Sequence, residues 1–152
     1  MKIYIGADYK GFEAKKRLIS YLQEHDYDVV DVGSYQGTEE NDFNDPAIAA
    51  ALAIRGSRVS VGIFGILICD SAHGMTIQAN RFKGIRAAHC DSVESAKLAR
   101  EHDDANVLCL SARFIDEKTM EKITEAFLNT KFEALERRLK RINRLDERKD
   151  YD

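Results

Sequence analysis

No apolar run in this chain approaches the roughly 18 residues that a membrane-spanning helix needs. Met1 leads directly into the strand-like Lys2-Ile3-Tyr4-Ile5, without the charged and then apolar stretch of a secretory leader. A cytoplasmic protein with no membrane partner is expected. Cysteine is scarce: Cys69, Cys90 and Cys109 are odd in number and lack C-x-x-C spacing, which argues against a disulfide framework or a zinc ribbon and for reduced thiols. An excess of one charge is missing too. The formal balance is −3 over 152 residues, too small to suggest a surface built for a polyanion, so nucleic acid is not an expected partner. No Gly/Ser/Pro-rich linker, low-complexity tract or internal repeat divides the chain. Residues 1–152 are therefore expected to form a single domain, long enough to bury a real core.

What is present is an alternation of strand and helix signals. Lys2 to Ala7 reads as a strand, Asp8-Tyr9-Lys10-Gly11 as a turn, and the following helix runs to about His25. That helix has Phe12, Leu18, Ile19 and Leu22 on one stripe and Lys15, Lys16, Arg17 and Glu24 towards water. Asp28 to Val32 is a second strand, and residues 34–44 form a polar loop longer than an ordinary connection. Asp45 is placed to cap a helix to about Arg55, with Pro46 at its first position. Gly84 to His89 and Asn106 to Leu110 read as the fourth and fifth strands. Asp91 or Ser92 caps a helix between them that reaches about Glu101. Asp116 caps a helix to Asn129. A last helix, Phe132 to about Arg148, repeats Phe132, Leu135, Leu139, Ile142 and Leu145 every three or four residues, a stripe able to lie on its own domain or on a second copy. The pattern predicts an α/β fold: a doubly wound, Rossmann-like, five-stranded parallel sheet with helices on both faces. Its ligand crevice would lie at the carboxyl ends of the strands, where Asp8, Asp42, Cys69, Ser71, His102 and Arg113 are expected.

The stretch Gly62 to His89 carries the chemistry. Ile66-Leu67-Ile68-Cys69 has no polar face, as suits a central parallel strand covered on both sides. It ends in a thiol, followed by Asp70, Ser71, Ala72, His73 and Gly74 and then by a helix start at Met75. Cys69 would thus face backbone amides that lack an intrahelical partner, making a base and an anion stabiliser neighbours. Removing a proton beside a carbonyl needs those two elements. A helix N-terminus would bring a thiol down from about 8.5 towards neutral. Cys69 alone also reads as a small buried hydrophobe, His102 as a solvated helix-end residue, and His73 as an acid, a substrate contact or a loop filler. Cys90 and Cys109 read as core. Cys69, Asp70 and His73 lie too close on one loop for usual metal-ligand spacing.

In order and spacing these segments resemble the type B ribose-5-phosphate isomerases and the related galactose-6-phosphate isomerase subunits. The resemblance rests on Gly6-Ala7-Asp8-x-x-Gly11-Phe12, Asp31-Val32-Gly33, Gly65-Ile66-Leu67-Ile68-Cys69, Gly74-Met75-x-Ile77-x-Ala79-Asn80 and Gly84-Ile85-Arg86-Ala87-Ala88. It extends through Ser95-Ala96-x-Leu98-Ala99-Arg100-Glu101-His102-x-Asp104-x-Asn106-Val107-Leu108 to Arg113. It implies an aldose–ketose isomerisation of a phosphorylated sugar without metal or cofactor, in a homodimer or tetramer that shares its active sites. It also implies that Cys69 is the base, that Ser71 and His102 open the sugar ring, and that Asp8 holds sugar hydroxyls. Amides around Ser71 to Gly74 would steady the enediolate. Arg113, with Arg137 and Arg141 from a partner chain, would hold the phosphate.

Several positions depart from that pattern. Tyr9 stands where the family has His, Asp70-Ser71-Ala72 where many members have Gly-Thr-Gly, Phe43-Asn44 where Tyr-Pro is usual, and Asp103 where Asn is usual. His73 has no expected counterpart, and Val59 to Phe64 looks longer than the family pattern. Tyr9, Phe43, Asp70, Ala72, His73, Gly74 and Asp103 are therefore candidate substrate contacts. Three readings stay open: a ribose 5-phosphate isomerase, a hexose 6-phosphate isomerase, and a non-catalytic sugar-phosphate-binding paralogue or subunit.

Overall fold

The computed structural model describes residues 1–40, 42–57 and 62–147. Its elements are β1 (Lys2–Ala7), α1 (Phe12–Glu24), β2 (Asp28–Asp31), α2 (Asn44–Ile54), β3 (Ile63–Cys69), α3 (His73–Ala79), β4 (Ala87–His89), α4 (Val93–Asp103), β5 (Val107–Ser111), α5 (Glu117–Asn129) and α6 (Glu136–Leu145). The five strands are all parallel, in the order β2-β1-β3-β5-β4. Among the described residues, no helix is long and apolar enough to cross a membrane.

Strand β3 is central because it is apolar on both sides. Phe64, Ile66 and Ile68 pack with Leu18 and Leu22 of α1, Ala96 of α4 and Ile123 and Phe127 of α5. Leu67 and Cys69 face Ala47, Ala50 and Ile54 of α2 and Met75 and Ala79 of α3. Alternate residues of one strand thus feed two cores. The chain winds from β1 to β2 on one side and then returns over β1 to β3, so the winding direction reverses between β1 and β3. In a parallel sheet, the carboxyl ends flanking such a reversal open into a crevice. Asp8 follows β1 there, and Cys69 ends β3.

The structure differs from the sequence pattern at several points. Lys15, expected in water, is fully buried. It lies three residues from both Phe12 and Leu18, on the apolar stripe. Its charge is accommodated because Nζ donates to both Asp31 carboxylate oxygens at 2.8 and 2.9 Å and to the Ser34 carbonyl at 2.5 Å. Helix α2 begins at Asn44, so Asp45 lies in the first turn instead of capping it; Asp42 Oδ1 accepts from the Asn44 amide at 2.9 Å. Strand β3 starts at Ile63 and β4 is only three residues long, because Gly84 and Arg86 bond to side chains of Asp146 and Asn106 instead of a strand neighbour. Helix α6 starts four residues later than expected, since the Glu133 amide is drawn to the Glu101 carbonyl at 3.1 Å. The ends of two expectations, Val59–Val61 and Arg148, lie outside the described residues.

The largest correction concerns His102 and Asp103. Both sit in the last turn of α4, and α4, which joins the parallel neighbours β4 and β5, runs antiparallel to them. α4 therefore delivers the chain back to the amino ends of the strands, away from Cys69. Next to it, Asp104 pairs with Arg86, just before β4, at 3.0 Å, and the Ala105 amide donates to the Ala99 carbonyl. Within one chain, His102 is on the rim opposite the thiol.

Candidate active site

Cys69 is 4% exposed and lies among the apolar residues of α2 and α3, yet it sits at the end of β3. The backbone amides of Met75, Ala72 and Ser71 face its sulfur and favour the thiolate. Burial is the larger influence, and the neighbouring Asp8 carboxylate adds to it, so the thiol is pushed up from its ordinary value. This corrects the expectation that the helix end would bring it down: the amides are in place, and desolvation outweighs them.

The turn that aims these amides is built without glycine. Ala72 takes φ 69° and ψ −13°, a left-handed conformation that an L residue adopts at a cost. The Ser71 hydroxyl accepts from the His73 amide at 3.4 Å, and the Ala72 carbonyl accepts from Thr76 Oγ1 at 2.7 Å. Gly74 is required next to it, because a Cβ there would lie 2.9 Å from the Phe43 ring. Phe43 thus forms a wall over the first turn of α3.

Asp8 is buried, and its Oδ1 accepts from the Gly11 amide at 2.8 Å. Its pKa is raised, chiefly by burial, with the charge of Asp70 adding to the effect. Gly11 lets the start of α1 press against β3; a Cβ there would fall 2.3 Å from the Ile68 carbonyl oxygen. Tyr9 is half-buried in the same turn, with Lys10 Nζ 5.3 Å from its ring centre.

Asp70 turns to Arg113. Arg113 Nε donates to its two carboxylate oxygens at 3.1 and 3.0 Å and Nη2 to one of them at 2.7 Å. This fork holds the Asp70 carboxyl below the usual carboxylate range. The backbones are tied as well: the Arg113 amide and Ser111 Oγ both donate to the Asp70 carbonyl, at 3.0 and 2.6 Å.

Asp8, Tyr9, Phe43, Cys69, Asp70, Ser71, Ala72, Gly74 and Arg113 therefore share the crevice side of the sheet. Arg137 and Arg141 do not join them. They lie exposed on α6, which is fastened to the end of α4 by the Arg138 guanidinium on the Glu101 carbonyl at 3.0 Å. His102 and Asp103 are exposed on that same end of α4.

Two residues escaped the sequence pattern. His89, at the carboxyl end of β4, stacks edge-on with His73 at 5.5 Å between ring centres. Burial and the nearby His73 push its pKa down, and its Nε2 is buried without a hydrogen-bond partner. Its place at a strand end was the available signal. Lys15 anchors the start of the 34–44 loop; it stands three residues from Phe12 and Leu18, but a lysine there reads as solvent-facing. Cys90 and Cys109 are fully buried, and burial pushes their thiols up to about 11 and about 12, as befits core residues.

A parallel doubly wound sheet with a thiol, a carboxyl and aimed amides at its winding reversal has the crevice in which α/β proteins of this class hold small ligands. Comparison with known proteins narrows this. Residues 3–145 match the family model described as Ribose/Galactose Isomerase, and the chain belongs to that family. It is 38% identical to a probable ribose-5-phosphate isomerase B of Mycoplasma pneumoniae over 94% of this chain and 91% of that one. Among solved structures it resembles a ribose 5-phosphate isomerase of Thermotoga maritima (TM-score 0.89, 38% identity, 97% and 98% of the two chains). It also resembles the Mycoplasma genitalium ribose-5-phosphate isomerase B with bound ribulose-5-phosphate (TM-score 0.89, 37% identity, 95% and 93%).

Proposed function

We propose that residues 1–152 form one cytoplasmic sugar-phosphate isomerase unit that interconverts ribose 5-phosphate and ribulose 5-phosphate. The chain is an aldose–ketose isomerase by family, and the choice of the pentose follows the relatives' substrate. The observation that carries the mechanism is the Cys69 sulfur facing the amides of Met75, Ala72 and Ser71 beside Asp8. Cys69, as thiolate, takes the proton from C2 of the open aldose. The resulting enediolate is steadied by the loop amides. The proton is returned at C1 while the hydroxyl proton passes from O2 to O1, leaving the ketose. Asp8 holds sugar hydroxyls, and Ser71 with a histidine assists ring opening.

Two half-sites on opposite rims of one chain imply an assembly. In a two-fold dimer the same patch pairing occurs twice, so His102, Asp103, Arg137 and Arg141 of each chain would meet Cys69 and Arg113 of the other. The uncovered apolar face of α6 supports this reading: Leu135, Leu139 and Leu145 are 39%, 41% and 66% exposed. Planar guanidinium forks are the groups suited to a phosphate dianion.

Cys69→Ala is expected to abolish turnover with the circular dichroism spectrum unchanged; full activity in that variant would defeat the assignment. Because the thiol is held above its ordinary value, the thiolate fraction is small at neutral pH. The wild-type kcat/KM should therefore keep rising with pH beyond about 8.5. Assaying galactose 6-phosphate beside ribose 5-phosphate separates the hexose reading, motivated by Tyr9, Phe43 and Asp103. Of the two residues that motivate the binding-only reading, Ala72 adopts the turn that glycine would and Asp70 is paired with Arg113.

A further inference from the structure

We propose that Asp70 is the resident counter-ion of Arg113 and determines which anions the crevice admits: its carboxylate occupies the guanidinium fork that the phosphate of the substrate takes, so sugar phosphate enters by ion exchange. This rests on Arg113 being a phosphate ligand, as argued above. The pairing is set by the fold. Cys69 of β3 and Ser111 of β5 are register partners, so Asp70 and Arg113 leave adjacent strands one and two residues later. Their backbones are bonded through the Asp70 carbonyl. The side chains then meet in a two-pronged contact at 2.7 to 3.1 Å.

Three properties make this an exchange site instead of a permanent brace. The carboxyl is held below the usual carboxylate range, so it remains an anion at every neutral pH. Protonation does not free Arg113, and only a competing anion does. Both side chains are open to solvent, at 38% and 58%, so water and salt screen the pair and a dissolved anion can reach the guanidinium. Lys10 adds a further positive charge acting on Asp70, so the displaced carboxylate stays in a field that favours its ionised form. Selectivity follows from what is exchanged. A phosphate dianion brings two charges and three acceptor oxygens against one carboxylate. A sugar carboxylate offers Arg113 nothing that Asp70 does not already provide. The position therefore favours phosphate esters over sugar acids, at some expense in phosphate affinity.

The test is titration calorimetry of the full chain with inorganic phosphate, together with KM for ribose 5-phosphate, in wild type, Asp70→Asn, Asp70→Gly, Asp70→Glu and Arg113→Met. Asp70→Asn and Asp70→Gly should each tighten phosphate about three- to fivefold and lower KM by a similar factor. Asp70→Glu should return the weaker wild-type binding, and Arg113→Met should weaken phosphate binding. If Arg113→Met weakens phosphate while neither neutral variant tightens it, the counter-ion role is overturned and the phosphate reading stands. Weaker phosphate binding in Asp70→Asn and Asp70→Gly would likewise overturn it, marking Asp70 as a direct ligand. If Arg113→Met changes nothing, the phosphate reading itself fails.

Discussion

At the scale of single residues, the site is assembled from groups that are individually unfavourable. Ala72 holds a positive φ with its methyl fully buried, and Cys69 and Asp8 are both titratable groups removed from water. Such strain persists only where the surrounding structure holds it. Ala72→Gly should relieve the left-handed conformation and stabilise the fold by about 0.5–1 kcal/mol, after allowing for the greater flexibility of glycine when unfolded. Chemical denaturation checks this, and a loss of stability would show that the methyl packing outweighs the strain. The thiol was legible as a candidate because it closes an apolar run. Its titration was not legible, because desolvation depends on what α2 and α3 place over it.

At the scale of elements, α1 and β2 are joined by a part-buried ion pair that no periodicity argument for a solvent-facing lysine would include. Lys15 reaches from α1 to Asp31 at the end of β2 and to the carbonyl of Ser34, fixing the start of the loop that leads to Phe43. Asp31 Oδ1 also accepts from the Gly33 amide at 2.9 Å. Lys15→Met removes the cation from that carboxylate and the Nζ donor from the Ser34 carbonyl. It should cost about 2–3 kcal/mol, less than a wholly buried pair would, since Asp31 is about a third exposed. Adding Asp31→Asn should recover part of the loss, because the uncompensated charge is gone. Urea midpoints for the single and double variants measure both effects. Strand and helix identity was readable throughout, whereas ends were not: β4 and α6 shrink because side chains and carbonyls from distant segments claim their terminal amides.

At the scale of the whole molecule, the α/β winding separates the candidate site residues into two sets. Helices return to the amino rim, so His102 and Asp103 on α4, and the α6 arginines fastened to α4, cannot reach Cys69 of their own chain. Mixing Cys69→Ala with Arg137→Ala/Arg141→Ala protein, unfolded and refolded together, should restore activity. Each mixed dimer would hold one intact site of two, so an equal mixture should regain about a quarter of the wild-type rate. Absence of any recovery, with mixed dimers shown to form, would overturn the shared-site arrangement.

Apolar runs, turn residues and capping side chains act over a few neighbours. For that reason the order of elements, the parallel sheet and the position of the thiol at a strand end were determined by the amino-acid sequence alone. Burial, side-chain pairing across elements and the rim on which a helix ends are sums over distant parts of the chain. Only the tertiary structure decided that Lys15 lies inside, that Asp70 turns to Arg113, that desolvation raises Cys69 and that His102 faces away.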